Sequence, residues 1–232
     1  MTLDELTGWV KAAAGDRLGA FVLYGSTARD GPHAEGDINT LLIVDAVDEE
    51  LFAALESGVA RWIAGGQPAP LVFSWTEWRS SADAFAIEFE DIRTGHRVLA
   101  GRDPWDGIAV QPDHARRQLE HELRGKVLHL RQGYLAVRGD GARLGALVQG
   151  TAGAWLTMLR ALLRLVGSEV PAAPAALVRA AAAVAGFPAS PTAELVAAAR
   201  GADALKLVPR DPRAAAYVAA VARTAEFVKA LR

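Results

Sequence analysis

Along the first half of the chain, apolar residues alternate between helical spacing and short unbroken runs. Leu3, Leu6, Val10 and Ala14 fall near helical spacing behind Thr2, a plausible N-cap, which predicts a helix from about Leu3 to Ala14. Phe21 to Tyr24 and Leu41 to Val44 are short apolar runs of the kind that form buried strands. Asp48 is placed to cap a helix running to about Ala64, with Leu51, Leu55, Val59 and Ile63 every fourth residue along one face. Gly65-Gly66-Gln67-Pro68 ends it, and Pro70 to Trp75 reads as a third strand. Thr76 then caps a short helical piece with Glu77 in its first turn. Arg97 to Ala100 reads as a last strand before the turn Gly101-Arg102-Asp103-Pro104.

After Pro112 the strand pattern stops. Leu119, Leu123, Val127, Leu130 and Tyr134 follow one another at helical intervals, which predicts a long amphipathic helix. Gly139-Asp140-Gly141 breaks it. Trp155, Leu159, Leu162 and Val166 mark a second helix, closed by Gly167 and Pro171. In the Ala-rich remainder, Ala176 to Ala185 and Tyr217 to Leu231 are the clearest helical pieces, while Phe187, Leu195, Leu205 and Phe227 supply large packing groups. The predicted architecture is α+β, with a small mixed sheet over residues 1–110 followed by an all-α helical bundle over residues 111–232.

Composition narrows the function classes. A chain of 232 residues suits one large or two small domains, and no apolar run reaches the roughly 18–20 residues of a bilayer span. Its acidic start, Met1-Thr2-Leu3-Asp4-Glu5, carries no secretory apolar region, so a cytoplasmic location with no membrane partner is expected. Cysteine is absent, which excludes disulfides, thiolate metal sites and cysteine nucleophiles. With 25 basic against 27 acidic residues and a net charge of -2, the chain has no strong general nucleic-acid signal, which leaves room for a local basic patch.

The candidate chemistry begins where the first strand ends, at Gly25-Ser26. A glycine there lets the backbone approach a ligand, and Ser26 with the helix start behind it offers hydroxyl and N–H donors to an anion, phosphate above all. Eleven residues on, Asp37-Ile38-Asn39 opens the second strand, and positions 37 and 39 share a face because the strand period is two. An Asp-x-Asp pair in that place would hold a divalent ion against phosphates. Here Asn39 stands at the second position.

Gly25-Ser26, the gap and Asp37-Ile38-Asn39 before an apolar strand resemble the signature of the nucleotidyltransferase superfamily, which includes polymerase-β-like and aminoglycoside-nucleotidylyltransferase groups. The resemblance covers roughly residues 18–110. Glu88-Phe89-Glu90-Asp91-Ile92 and His96-Arg97-Val98-Leu99-Ala100-Gly101 also resemble the end of such domains in uncharacterised bacterial members, and a helical C-terminal domain is a common attachment in the family. The resemblance implies a nucleoside triphosphate as ligand, Mg²⁺ as cofactor, and transfer of a nucleoside monophosphate to a hydroxyl of a small molecule or protein. It further implies that Gly25 and Ser26 meet the β- and γ-phosphates and that Asp37 is a metal ligand, with Asn39 in the second ligand position. The chain departs from the pattern at Asn39 and on the third strand, where Leu71 to Trp75 contains no acid and Ser74 is the only polar residue. The alternative expectation is therefore a catalytically degenerate nucleotide- or partner-binding module, antitoxin-like by analogy of fold.

Further residues carry both a functional and a plain reading. Arg29 could meet a phosphate or be a solvated helix charge, and so could Lys126, which the family pattern would bring to the triphosphate. Glu88 and Asp91 share a face if helical and would be displaced acids or ordinary caps and ion pairs. His33 and His96 read as surface or turn histidines. Arg124 and His129 match the loose spacing of HEPN-type ribonucleases, yet five helical residues set their side chains about 140° apart. Trp62, Trp75, Trp78 and Trp155 read as core or interface anchors.

Overall fold

Thr2 and Glu5 cap the first helix from both sides in the computed structural model. The Glu5 N–H donates to Thr2 Oγ1 at 3.2 Å, and the Thr2 N–H donates to Glu5 Oε2 at 2.7 Å. The structure describes residues 1–25, 27–28, 37–201 and 203–231. Ser26, Arg29 and His33 therefore lie outside the described residues. The chain divides into two compact units, Met1–Val110 and Gln111–Arg232.

In the first unit, α1 (Leu3–Ala14) leads into β1 (Leu18–Tyr24), and β2 (Asn39–Val44) returns antiparallel beside it. Helix α2 (Glu49–Ala64) crosses to β3 (Leu71–Ser74), which lies parallel to β2. Helices α3 (Trp75–Ser80) and α4 (Ala86–Thr94) precede β4 (His96–Gly101), antiparallel to the far side of β1. The sheet order is β3-β2-β1-β4. This is the mixed four-strand sheet of an α+β fold.

The unbroken apolar runs are explained by two cores. Phe21, Leu42 and Val44 pack on one face against Leu6 and Val10 of α1 and Leu51, Leu55 and Trp62 of α2. Ala20, Val22, Leu41 and Ile43 face the other way, onto Trp78 and Phe89. Each Val, Leu, Ile or Phe side chain fully buried there is worth about 1.5–3 kcal/mol. On the second face Trp78 stacks on Phe89 with centroids 4.0 Å apart and meets Phe73 and Trp105 edge-on, while its Nε1 donates to the Pro104 carbonyl at 2.9 Å.

Two local expectations are corrected. The inward face of α2 carries Gly58 and Trp62, with Val59 half-buried against the same core, whereas Ile63 is 50% exposed. A row of fourth residues drifts about 40° per step on a helix of 3.6 residues per turn, so the buried stripe steps back by one. Gly58 fits there because a Cβ would collide with the Trp9 ring of α1. The short helix after β3 is capped by Ser74, not Thr76: Ser74 Oγ accepts the Glu77 N–H at 3.2 Å and the Ser74 N–H donates to Glu77 Oε2 at 2.7 Å. That box ends the strand at Ser74 and moves Trp75 into the helix.

The second unit is helical among the described residues: α5 (Pro112–Val137), α6 (Gly141–Leu165), α7 (Pro174–Ala185), α8 (Ser190–Ala199) and α9 (Pro212–Ala230). Leu119, Leu123, Val127 and Leu130 form the buried stripe of α5, and α6 carries Leu144, Val148, Trp155, Leu159 and Leu162 at its centre. Tyr217 of α9 meets the Trp155 ring edge-on at 5.3 Å and donates its hydroxyl to Thr151 Oγ1 at 3.1 Å. Residues 203–208 lie directly on α6. Gln149 holds them through Asp203 O and the Leu205 N–H, and a Cβ at Gly141 or Gly145 would strike the carbonyls of Leu207 or Leu205. Helix α8 forms where the sequence offers only Leu195 and Val196 as large apolar residues and no side-chain cap. No helix of the described residues is long and apolar enough to cross a membrane.

Candidate functional site

The C-terminal end of β1 and the start of β2 meet at Gly25. Its φ is +85°, a conformation that L side chains rarely adopt, and its N–H donates to the Gly95 carbonyl at 3.2 Å. Gly95 ends α4 just before β4, so the turn is anchored to a third element. A Cβ on Gly25 would lie 3.4 Å from Asn39 Nδ2. The turn and the first residue of β2 are thus neighbours with no side chain between them, and Thr27 and Ala28 beyond the turn are helical.

Three hydrogen bonds fix the Asp37–Asn39 segment. Gln67 Oε1 accepts the Ile38 N–H at 2.7 Å, Thr27 Oγ1 donates to the Asp37 carbonyl at 3.4 Å, and Asn39 Nδ2 donates to that same carbonyl at 3.3 Å. All three use the Asp37–Ile38 backbone, so the exposed Asp37 carboxylate takes part in none of them. The Asn39 carbonyl oxygen is likewise unengaged in them. Gly25, Asp37 and Asn39 are therefore brought together at one end of the sheet. Asn39 shares strand parity with Leu41 and Ile43, on the face covered by α3 and α4.

The third strand and the acids of α4 are disposed differently. Ser74 lies opposite Val44 in the parallel register, five residues along β2 from Asn39, or about 16 Å at roughly 3.3 Å per residue. It is also committed to Glu77, whose carboxyl is held below the usual carboxylate range by the Ser74 N–H and then by the Ser74 hydroxyl. Glu88 and Asp91 sit on α4, the former exposed and the latter half-buried, and both take part in interactions within the fold. Among the described residues no group of three or more His, Asp or Glu side chains is arranged to hold a metal ion.

Sequence reasoning overlooked Gln67, Thr27 and Gly95. Gln67 was treated only as part of a helix-ending turn, although a lone amide between Gly66 and Pro68 is a natural donor or acceptor for a neighbouring chain. The Thr27 hydroxyl had a signal as well, being in the first helical turn after Gly25. Nothing local in the sequence marks Gly95 as the partner of the Gly25 N–H, because that pairing depends on β4 lying beside β1.

The remaining candidates lie elsewhere in the chain. His96, opposite Tyr24 across the β1–β4 ladder, has Nδ1 2.9 Å from the Arg93 carbonyl and Nε2 3.7 Å from Asp103 Oδ1. Lys126 belongs to the helical unit, where it lines a pocket together with His129, while Arg124 is ion-paired to Glu120 at 2.8 Å. Trp62, Trp78 and Trp155 are buried, and Trp75 lies beneath the Arg102 guanidinium, 4.0 Å from ring centroid to Cζ.

Among solved structures the chain is similar to the spectinomycin adenyltransferase AAD(9) from Enterococcus faecialis, determined with ATP and spectinomycin. The likeness covers 97% of this chain and 98% of that one, with a TM-score of 0.58 and 13% sequence identity. At that identity it shows a shared fold. No family model and no curated protein matches the chain.

Proposed function

We propose that this protein binds a nucleoside triphosphate at the Gly25 end of its sheet and transfers the nucleoside monophosphate to a hydroxyl of a small molecule or protein. The observation that carries this reading is the side-chain-free turn at Gly25, set against Asn39 and followed by a helical start at Thr27. Such a turn offers backbone N–H groups and a helix N-terminus to phosphate oxygens. The likeness to an adenyltransferase determined with ATP supports the same reading.

In the proposed complex Gly25 and Ser26 meet the β- and γ-phosphates, and Arg29 adds a cation. The donor set fits a Mg²⁺ that arrives with the nucleotide, because Mg²⁺ is commonly held by one or two carboxylates together with substrate phosphates and water. Asp37 would supply the carboxylate and Asn39 its amide oxygen. Bound there, the ion would neutralise charge on the phosphates. The same residues do not amount to a protein-only metal cage. In the transfer itself the acceptor oxygen forms a bond to the α-phosphorus as the bond to pyrophosphate breaks, and the hydroxyl proton passes to solvent or a base. The chain's own contribution is to fix the backbone at Asp37 and Ile38, through Thr27 and Gln67, so that the residue bearing the carboxylate is held beside the Gly25 turn.

A second reading is a nucleotide- or partner-binding module that has lost transfer. It is favoured by the engagement of Ser74 in a helix cap and by the neutral Asn39. Incubation with α-labelled ATP, Mg²⁺ and a panel of hydroxylated acceptors separates the two. Label on an acceptor with release of pyrophosphate supports transfer, whereas nucleotide binding with no label on any acceptor supports the module.

A further inference from the structure

Between α5 and α6 the helical unit holds a pocket of about 390 Å³, lined by His121, Glu122, Gly125, Lys126, His129, Leu130, Leu147 and Thr151. On α5 these residues form two adjacent rows with a spacing of four, His121-Gly125-His129 and Glu122-Lys126-Leu130. Gly125 sits between the two imidazoles and opens the gap.

That glycine has no packing reason to be where it is. A Cβ on Gly125 would meet nothing within 4 Å, although glycine in a helix interior costs more than any residue except proline. Gly133, two turns later, is the contrast: its Cβ would come 2.8 Å from Leu147 Cδ1, so it is needed for α5 and α6 to close. Gly125 leaves empty space on the pocket side of a 26-residue helix.

Lys126 is also left without a match. Arg116 and Arg124 on the same helix are ion-paired to Glu120. The half-buried Lys126 amine makes no hydrogen bond or ion pair among the described residues; burial lowers its pKa, and the attraction of Glu122 one turn back opposes that. The Thr151 hydroxyl beneath is already spent, donating to Leu147 O at 2.7 Å and accepting from Tyr217 at 3.1 Å.

We propose that this pocket binds a phosphoryl group of a small molecule, seated in the gap left by Gly125 with Lys126 as its counter-charge and His121 and His129 as flanking donors. Three donors around one gap suit the three terminal oxygens of a phosphoryl group, and Glu122 is placed to accept a hydroxyl of the rest of the ligand. The pocket stands on its own residues and does not depend on the nucleotide reading at Gly25. A phosphoryl group reaches it either as a nucleotide's tail or as part of a separate phosphorylated molecule.

The test follows the imidazole proton signals of the full chain as inorganic phosphate is added at constant ionic strength with chloride, and then as ATP is added. The signals of His121 and His129 are expected to shift and saturate, with His114 unmoved as an internal control; His96, next to Gly95 at the Gly25 turn, reports on that turn instead. Lys126→Met should weaken the response about tenfold or more. Gly125→Leu should abolish it while the melting temperature stays at or above that of the parent chain, and Gly125→Ala repeats the reading should the larger side chain disturb folding. Phosphate shifts that survive in both Lys126→Met and the Gly125 variants, or no saturable shift at His121 and His129, would overturn the proposal. Gly25→Ala keeps the two sites separable: lost ATP binding with an intact phosphate response removes only the nucleotide site.

Discussion

The side-chain oxygen of Gln67 accepts the Ile38 N–H at 2.7 Å, joining the turn after α2 to the residue between Asp37 and Asn39. The bond spans 29 residues and fixes the entry of the chain into β2. Gln67→Ala should cost about 1 kcal/mol of stability, the usual net worth of one such bond. It should also speed hydrogen exchange at the Ile38 amide more than at Leu42 in the core of the same strand. Equal protection of Ile38 in both proteins would show that Gln67 does not hold the site.

Gly25 carries the second expectation. With φ at +85°, an alanine there is forced into a left-handed backbone and should lower stability by about 1–2 kcal/mol. Its Cβ would also stand 3.4 Å from Asn39 Nδ2, in the space assigned to a phosphate. Gly25→Ala should therefore unfold at a lower temperature, keep its far-ultraviolet circular dichroism, and bind ATP less tightly. Thermal melts alongside nucleotide titrations read both effects.

The elements whose signals are local were legible in the sequence, and those that depend on distant partners were not. Thr2, Asp48 and the apolar runs at Phe21 and Leu41 announced α1, α2, β1 and β2, because caps and buried strands are written in adjacent residues. The Ser74 cap was hidden behind Thr76, since both precede Glu77 closely and only backbone geometry chooses between them. Helix α8 has a weak apolar pattern and no side-chain cap, so its helicity rests on packing. Of the candidate site residues, Gly25, Asp37 and Asn39 stood out from their spacing together with the family resemblance, and the structure brings them to one end of the sheet. Gln67 and Gly95 did not, because each reaches the site through a contact set by the tertiary fold.

Asn39→Asp exchanges a donor for a charge. The Asn39 amide donates to the Asp37 carbonyl at 3.3 Å, which a carboxylate cannot do, and a second negative charge would stand beside Asp37. Without metal the variant should melt at a lower temperature than the parent. With Mg²⁺ and ATP it should recover more stability than the parent gains, because a hard cation prefers the added carboxylate. An identical Mg²⁺ response in both chains would show that position 39 does not face the ion. The readout is the melting temperature across a Mg²⁺ series at fixed ATP.

Tyr217 links stability to alkaline pH. Burial pushes its phenol up to about 12, with the Thr151 hydrogen bond pulling weakly the other way. A group whose pKa is raised on folding contributes its stability fully below its unfolded value of about 10 and loses it as pH rises through the folded value. Between about pH 10 and 12 the parent chain should therefore lose about 2–3 kcal/mol on this account. Tyr217→Phe should be less stable at neutral pH, through the lost bond to Thr151, and should lose less on going alkaline. Denaturant midpoints of the two chains, measured in parallel across that range, give the difference.

Calorimetric titration of the chain with ATP, in the presence and absence of Mg²⁺, tests the central claim most directly. A saturable heat that tightens with Mg²⁺, and that falls in Gly25→Ala, is the expected result. Absence of binding in both conditions by the folded parent chain would contradict the nucleotide site at Gly25, and with it the proposed transfer.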